Sequence, residues 1–320
     1  MTAGIELFAG PGGMSLGLED RGIRSTGIEW DDNAVATRRA AGMPTIHADV
    51  RNHGPRDFPR ATVLAGGPPC QTFTIAGDGS GRAETDRVVD AVKRMGAREV
   101  VDPRTFADER TTLVLEPLRW LLADFECSYN AVVLEQVPQA LPIWDAYAEV
   151  LRAEGYEVAT GVLRTEQYGL PQTRKRAVLV ARLGAPVALP APTHRAYTKG
   201  VPQHEGDPTL KPWVSMGDVL NRPQPFTVIS NYGTGGDPKN RGRRTSAEPA
   251  FTVTGKISRF RLIDADGNEL PRFTHAEAGQ LQGLPADWPW SGSDISQQIG
   301  NACPAPLAAA LAAAVTGDGI

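Results

Sequence analysis

The sequence predicts an α/β protein with a doubly wound, largely parallel sheet and a second, smaller β-rich unit. Short β-branched runs alternate with helix-like stretches over the first 190 residues, which is typical of βαβ units. Between about residues 186 and 271 the composition shifts to Pro, Gly, Arg and Thr without a helical period. Helical character returns at 274–282, where Thr274 and Glu277 have the spacing of a capping box, and again from residue 304. We therefore expect a discontinuous larger domain, 1–189 plus 272–320, and an irregular insert of residues 190–271.

The candidate strands and helices of the larger domain follow one another along the chain. Strands are predicted at residues 5–8, 25–29, 62–65, 131–135, 156–163 and 176–181, with a further short strand closed by the run His47-Ala48-Asp49-Val50. Helices are predicted at residues 14–21, 33–41, 113–125 and 138–153. Ligands of such sheets bind at the carboxyl ends of the strands, so the residues directly after each strand are candidates for function.

Length and composition describe a soluble globular protein. The chain has 320 residues, of which 41% are hydrophobic and 22% charged, enough for one substantial domain and a smaller one. The longest nearly uninterrupted apolar run covers residues 305–315, about half of the ~20 residues that a membrane-spanning helix needs. The N-terminus lacks the basic and apolar regions of a signal peptide. We therefore predict a cytoplasmic protein without a membrane span.

The spacing of the cysteines argues against two kinds of structural site, and the charge distribution indicates a segment that contacts phosphates. The three cysteines, Cys70, Cys127 and Cys303, do not have the spacing of a zinc site, and their odd number argues against a disulfide scaffold. The net charge is −4, but residues 199–262 hold ten Lys and Arg against five acids. Such a local excess of positive charge is expected of a segment that contacts phosphates.

A glycine-rich turn, Phe8-Ala9-Gly10-Pro11-Gly12-Gly13, directly follows the first predicted strand. Glycines at this point let the backbone turn tightly and approach a ligand at a helix N-terminus, although a purely structural turn has the same appearance. The spacing is neither that of a dinucleotide fingerprint nor that of a phosphate-binding loop, which leaves a nucleoside-type cofactor. Glu29 closes the second strand, where a carboxylate can accept ribose hydroxyls, and Asp49 follows the third. Each acid alone has the alternative interpretation of a solvated loop residue.

Cys70 lies in the run Gly66-Gly67-Pro68-Pro69-Cys70-Gln71, after the fourth predicted strand. A lone cysteine is usually structural, but two prolines here fix the backbone and present the thiol where the strand opens into a loop. A thiolate near a helix start or a cation has a lowered pKa and becomes a competent nucleophile. Cys70 is therefore the candidate nucleophile, whereas Cys127 and Cys303 keep the structural interpretation.

Charged groups follow two further strands. Glu135 closes a buried strand, which is costly unless the carboxylate has a partner or a chemical task, and a structural role as an acceptor for loop amides is the alternative. Arg174 and Arg176 enter another strand and project to the same side. They suit contacts to a phosphate or a base, with a solvated basic turn as the alternative.

Taken together, these motifs resemble those of the DNA (cytosine-5)-methyltransferase family of prokaryotes and phages. The resemblance spans nearly the whole chain, and the motifs stand in the family's order: Phe8-Ala9-Gly10-x-Gly12-Gly13, Pro68-Pro69-Cys70-Gln71, Glu135-x-Val137, Gln172-x-Arg174-x-Arg176, Arg272-x-x-Thr-x-x-Glu277 with Leu281-Gln282-Gly283, and Gly300-Asn301-Ala302-x-Pro304. The chain departs from the family at Gln136, where Asn is usual, and around the final prolines, where it has Cys303 and Ala305.

The resemblance implies a Rossmann-like methyltransferase sheet, a smaller target-recognition domain and S-adenosylmethionine as methyl donor. Glu29 would hold the ribose, Asp49 would lie near the adenine amino group, and Asn301 near the methionine end. The remaining cofactor-binding residues would be those of the glycine-rich turn and the neighbours of the residues just named: Phe8, Gly10, Pro11, Gly12, Gly13, Trp30, Val50, Pro69 and Ala302.

The resemblance also implies the chemistry. Because C5 of cytosine is a weak nucleophile, Cys70 would first add covalently to C6. Glu135 would hold the N3/N4 edge of the base, Arg176 its O2 side, and Arg174 the loop or backbone. The base would have to leave the duplex stack, and a loop over about residues 72–98 would close over it.

Sequence specificity is assigned to the insert, and the expected partner is double-stranded DNA. The predicted DNA contacts are Gln71, Arg241, Arg243, Arg244, Lys256 and Arg259. A cognate restriction endonuclease and a monomeric enzyme are further expectations. An RNA cytosine-5 methyltransferase on the same scaffold and a catalytically silent DNA-binding homologue are the alternatives. The basic insert favours duplex DNA, and the presence of Cys70 and Glu135 opposes a silent homologue.

Overall fold

The computed structural model of the chain describes residues 2–69, 80–106, 108–123, 129–230 and 241–317, and it confirms the α/β class. Its main sheet has seven strands: β1 (Thr2–Leu7), β2 (Ile23–Glu29), β3 (Thr45–His47), β4 (Val63–Gly66), β5 (Ala131–Gln136), β6 (Tyr156–Arg164) and β7 (Lys175–Leu183). Their order across the sheet is β3-β2-β1-β4-β5-β7-β6. The order reverses between β1 and β4, and at such a switch point the strand ends open a crevice for a ligand.

Strand β7 departs from the predicted parallel arrangement, because it runs antiparallel to both of its neighbours, β5 and β6. The physical reason is the short connection between β6 and β7, which holds only a 3-10 helix, Thr165–Tyr168, and a turn. A parallel return needs a crossover of about a dozen or more residues, usually with an α-helix. The strand therefore folds straight back, and its start comes to lie beside the carboxyl end of β5.

Nine α-helices lie within the described part of the chain. They are α1 (Gly13–Glu19), α2 (Asp32–Ala40), α3 (Ser80–Gly96), α4 (Glu116–Leu121), α5 (Leu141–Ala153), α6 (Met216–Val219), α7 (His275–Leu281), α8 (Ile295–Asn301) and α9 (Ala305–Thr316). Within its described residues, 113–123, the helix predicted at 113–125 is α-helical over α4, and a 3-10 helix, Glu109–Leu115, precedes it. The predicted capping box of α7 is present: Thr274 accepts the Glu277 N–H and Glu277 accepts the Thr274 N–H.

Helix α3 corrects one expectation, because the loop predicted over residues 72–98 is helical from Ser80 to Gly96. Val88 and Val92 are fully buried in a core cluster that also contains Trp144 and Leu151 of α5. Residues 72–79 of the predicted loop lie outside the described residues. The prediction of a loop is therefore wrong over Ser80–Gly96, where the apolar face of a helix packs into the core.

The last helix, α9, packs back on the main sheet as predicted. Leu307, Leu311 and Val315 form one core cluster with Met14 and Leu18 of α1. The contact is close, because a Cβ on Gly17 would overlap Ala305 and Ala308. By length and composition alone, the segment Ile295–Thr316 could cross a membrane, but 61% of its most apolar window is buried, as in the core helix of a soluble protein.

The insert carries a second, antiparallel sheet of four short strands: β8 (Thr227–Ile229), β9 (Arg243–Thr245), β10 (Arg261–Ile263) and β11 (Glu269–Leu270). Phe226, Val228, Phe260 and Leu262 form its core. That core also includes Ala278 and Leu281 of α7 and Ile299 of α8. The insert therefore shares its apolar interior with the segment that follows it, and the domain boundaries at 189/190 and 271/272 remain a prediction.

Candidate active site

A cavity of about 720 Å³ lies at the carboxyl ends of the central strands and brings most of the predicted site residues together. Those that line it are Phe8, Gly10, Pro11, Glu29, Trp30, Pro69, Glu135, Arg174, Arg176 and Asn301. A small adjoining cavity is lined by Asp49 and Val50, and another, beside Gly10 and Glu135, by Ala302. Residues far apart in the sequence thus form one continuous site. Cys70 and Gln71 lie outside the described residues, and the segment that leads to them ends at Pro69 on the cavity wall.

The glycine-rich turn after β1 has two faces with different tasks. Phe8 and Gly10 have positive φ angles of 57° and 53°, and a Cβ on Gly10 would meet nothing within 4 Å. This part of the turn faces the open cavity. Gly12 and Gly13 face the protein instead, because a Cβ on Gly13 would overlap the carbonyl oxygen of Cys303. A Cβ on Gly12 would overlap the Met43 side chain, so the two glycines pack against different segments, and neither lines the main cavity.

Glu29 is buried at the end of β2, where its carboxylate accepts hydrogen bonds from backbone N–H groups at the rim of the cavity. Its Oε2 accepts the Gly10 N–H at 2.7 Å, and its Oε1 accepts the N–H groups of Trp30 and Asp31 at 2.8 Å each. The Trp30 side chain is 62% exposed, which is unusual for so large an apolar group. Asp49 pairs with Arg51 at 2.6 Å, and hydrogen bonds from Arg51 hold the pKa of the Asp49 carboxyl below its ordinary value.

A buried polar network behind the glycine-rich turn was not predicted. Arg38 of α2 is fully buried, and its Nη1 donates to the Ala9 carbonyl at 3.2 Å and to Ser15 Oγ at 3.0 Å. Its charge faces Glu6, whose carboxylate accepts a hydrogen bond from the Ser15 hydroxyl. Burial raises the pKa of Glu6, and Arg38 opposes that shift. Room for the guanidinium exists because residue 27 is Gly: a Cβ there would overlap Arg38.

The two arginines that enter β7 differ in their contacts. Arg176 Nε lies 2.6 Å from Glu135 Oε1, and both side chains are nearly buried. Arg174 is 3% exposed and donates to the carbonyls of Val253 at 2.7 Å and Gly300 at 3.0 Å. Glu135 therefore has the charged partner that its burial requires. Arg174 instead ties β7 to the insert and to α8.

Gln136, the position where the chain departs from the family pattern, is buried beside the cavity. Its Nε2 donates to the Pro68 carbonyl, and its Oε1 accepts the Val137 N–H at 2.5 Å. The longer amide thus spans from β5 to the proline segment that leads to Cys70. Gln136 therefore provides a hydrogen-bonded link between the end of β5 and the segment that follows β4.

The predicted DNA contacts of the insert fall into two groups. Arg243, Lys256 and Arg259 are exposed and form no ion pair with any other residue that the structure describes, and Arg241 is half-buried. Arg244 is also half-buried, with its guanidinium stacked between Tyr197 and Phe251. The charges of Arg243, Lys256 and Arg259 are therefore available to phosphates. Arg244 instead contacts other residues of the protein.

The cavity also has lining residues that sequence reasoning missed. They include Arg110 and Leu113, from the 3-10 helix before α4, and Asp294 and Gln297, from the start of α8. Gln297 donates to Asn301 Oδ1 at 2.8 Å, so it orients one of the predicted cofactor residues. No local motif marks these positions, because only the tertiary fold brings them to the strand ends. A separate cavity of about 840 Å³, between α1 and α9, contains none of the predicted site residues.

Comparison with curated proteins finds similar chains among bacterial enzymes. The Type II methyltransferase M.NlaX of Neisseria lactamica is 29% identical, and the match covers 96% of this chain and 94% of that protein. The Type II methyltransferase M.Sau96I of Staphylococcus aureus is 27% identical, with 95% of this chain and 73% of that protein covered. The similarity therefore extends over nearly the full length of this chain.

Solved structures and a family model agree with these relatives. A putative DNA modification methyltransferase encoded within an Escherichia coli prophage is 16% identical with a TM-score of 0.65, and the match covers 99% of both chains. The Dnmt2 methyltransferase of S. pombe is 19% identical with a TM-score of 0.63, again over 99% of both chains. These two likenesses confirm the Rossmann-like fold. The model of the C-5 cytosine-specific DNA methylase family matches residues 2–199, more than half of the chain. The chain therefore belongs to the C-5 cytosine-specific DNA methylase family and is a DNA (cytosine-5)-methyltransferase.

Proposed function

We propose that the protein transfers a methyl group from S-adenosylmethionine to C5 of a flipped cytosine in a specific duplex DNA sequence, through a covalent Cys70 adduct at C6. One observation carries the proposal: the turn after β1 and the Glu135–Arg176 pair line the same cavity of about 720 Å³. That volume lies within the range of small-molecule sites, about 300–1,000 Å³. A cofactor and a base therefore have adjoining places at one group of strand ends.

The residues around the first part of the cavity fit S-adenosylmethionine. Gly10 presents bare backbone to open space, and Glu29 Oε2 accepts only one hydrogen bond within the described residues, which leaves it a lone pair for a ribose hydroxyl. The exposed indole of Trp30 offers a face for the adenine, and Asp49 lies in the adjoining cavity. Asn301, oriented by Gln297, lies toward the methionine end in the proposal. Bound there, the cofactor would supply an electrophilic methyl group.

The residues around the second part of the cavity fit a cytosine. The Glu135 carboxylate would accept the N4 amino group and favour a proton on N3, while Arg176 keeps that carboxylate paired and faces the O2 side. The Cys70 thiolate would form a bond to C6 as N3 gains a proton, so that electron density moves to C5 and C5 takes the methyl group. Transfer of the methyl group would leave S-adenosylhomocysteine as the other product. Loss of the C5 proton to water would then break the S–C6 bond and restore the thiolate, and N3 would give up the proton that it gained.

The position of the cavity determines how the DNA substrate must bind. A base within the stack cannot reach a cavity at the strand ends, so the cytosine must flip out of the duplex. The insert, residues 190–271, would read the sequence, with Arg241, Arg243, Lys256 and Arg259 as contacts to phosphates or base edges and Gln71 near the flipped base. The relatives are named Type II methyltransferases, which supports a restriction-modification setting with a cognate endonuclease in the cytoplasm. We propose that the enzyme acts as a monomer.

Bisulfite sequencing of DNA from cells that express the protein tests the activity and finds the target site together. The matched control is Cys70→Ala, which should lose methylation but retain cofactor binding. An oligonucleotide duplex with 5-fluorocytosine at the target should trap the wild type in a denaturant-stable complex, because fluorine cannot leave as a proton does. Methylation by Cys70→Ala at the wild-type rate would refute the covalent mechanism, and preferential labelling of tRNA over duplex DNA would refute the substrate.

A further inference from the structure

Arg244 lies on β9 of the insert, but its contacts reach into the catalytic domain. Its guanidinium carbon is 4.8 Å from the ring centre of Tyr197 and 4.4 Å from that of Phe251. Its Nη1 donates to Thr173 Oγ1 at 2.8 Å and to the carbonyls of Pro249 at 2.8 Å and Ala250 at 2.6 Å. A planar cation against two aromatic rings, whose Nη1 shares its two hydrogens among three acceptors, is held in a single orientation.

Thr173 is the residue through which this contact reaches the active site. It lies between Gln172 and Arg174, and its N–H donates to the Ala250 carbonyl at 2.9 Å. Its own carbonyl accepts the Thr252 hydroxyl at 2.8 Å. The segment that leads into β7 therefore runs along residues 250–253 of the insert, fixed by Arg244 at its centre. Arg176 follows two residues after Arg174, and its guanidinium pairs with the Glu135 carboxylate.

We propose that Arg244 is a positioning residue for the reaction: it holds Thr173, and thereby sets the following Arg174 and the Arg176 that pairs with Glu135, in place of reading DNA. The proposal rests on the proposed function and deepens it. Any shift of β9 when the insert engages DNA would be transmitted through the guanidinium to Thr173. The Arg244 side chain then couples recognition of the target sequence to the placement of Arg174 and Arg176 at the cavity.

The surroundings of the Arg244 guanidinium support a role inside the protein for this side chain. The Tyr197 hydroxyl donates to Glu248, and burial together with Glu248 raises the pKa of Tyr197 to about 12. Glu248 in turn accepts the Thr245 N–H at 2.7 Å, which fixes the turn after β9. The guanidinium is thus enclosed by an aromatic ring with an anchored hydroxyl and by carbonyl oxygens. Lysine would bring the charge but neither the flat stacking surface nor the fixed fork.

The test separates catalysis from DNA affinity by steady-state kinetics on a duplex that contains the target site, with DNA dissociation constants measured in parallel. Arg244→Lys should lower kcat by about 10-fold or more, with the DNA Kd within about threefold of wild type. The matched control is Arg243→Ala, an exposed neighbour on the same strand, which should weaken DNA binding more than it lowers kcat. Thr173→Val should reproduce the loss in kcat, and Thr173→Ser, which keeps the hydroxyl, should restore it.

A double variant gives the decisive comparison, because both substitutions break the same hydrogen bond. Arg244→Lys combined with Thr173→Val should lose no more kcat than Arg244→Lys alone. Additive losses, an unchanged kcat, or a loss in DNA affinity alone in Arg244→Lys would each overturn the proposal. A wild-type protein that does not methylate DNA would instead refute the proposed function, so the two failures are distinguishable.

Discussion

Replacement of the buried amide of Gln172 by leucine should destabilise the fold where the insert meets the catalytic domain. Gln172 is fully buried, and its Oε1 accepts the Val253 N–H at 2.8 Å. Its Nε2 donates to the Leu281 carbonyl at 2.7 Å and to Gln282 Oε1 at 2.5 Å. One side chain thus satisfies polar groups of the insert and of the segment around the end of α7.

The magnitude follows from the groups left without a partner. Gln172→Leu keeps most of the side-chain volume but leaves one N–H and two oxygens unsatisfied in a buried site. Each such group costs about 1–3 kcal/mol, and the apolar gain of leucine offsets part of the sum. We expect a loss of about 3–5 kcal/mol in the free energy of unfolding. In a chain of this size that loss corresponds to a fall in Tm of about 4–7 °C.

Urea unfolding followed by tryptophan fluorescence measures the loss, with Gln224→Leu as the matched control. Gln224 is exposed, so the same substitution there should change the free energy of unfolding by no more than about 0.5 kcal/mol. A loss below about 1 kcal/mol for Gln172→Leu would refute the reasoning. It would mean that the Val253, Leu281 and Gln282 groups find other partners.

Three further predictions concern the active site and its supports. Glu135→Gln should lower kcat by several orders of magnitude with little change in DNA affinity, because its charge matters most as N3 gains a proton; steady-state kinetics and a binding titration check this. Burial opposes a low pKa of Glu277, but hydrogen bonds from Arg222 and Thr274 outweigh it and hold that pKa below its ordinary value. The carboxylate therefore contributes stability above its unfolded pKa and loses it as the pH falls through the folded value. In urea titrations, Glu277→Gln should be less stable than wild type by about 1–3 kcal/mol at pH 7, with the gap closing at acidic pH; an equal gap at both pH values would contradict the assignment. Gly27→Ala should lower Tm, measured by circular dichroism, because the added methyl overlaps the buried guanidinium of Arg38; an unchanged Tm would show that this guanidinium has room to move.

The alternation of strands and helices was predictable because buried parallel strands and amphipathic helices leave clear local patterns. The same pattern located Glu29 and Glu135, because each lies at the end of a predicted strand. Helix α3 also carried a local signal that was missed: Val88, Val92 and Met95 share one helical face, but Gly and Arg in the flanking stretch obscured it. The direction of β7 was implicit in the short connection that precedes it.

Other features had no local signal. The pairing of Arg38 with Glu6 joins α2 to β1, and nothing in either segment indicates the partner. The role of Gln136 was equally hidden, because its acceptor is a backbone carbonyl 68 positions earlier in the chain. The insert was predicted from composition, yet its core includes Ile299, which lies 28 positions after its last residue. Long-range contacts of this kind depend on the tertiary fold alone.

The packing of Gly13 against Cys303 and of Gly17 against Ala305 sets an order of events during synthesis. The residues that support the glycine-rich turn are translated almost three hundred residues after the turn itself, so the turn has no support while they are still inside the ribosome. We therefore expect a nascent chain stalled near residue 290 to retain no S-adenosylmethionine, whereas a chain extended until residues 305–316 emerge should retain it. If so, an unfinished chain cannot methylate DNA.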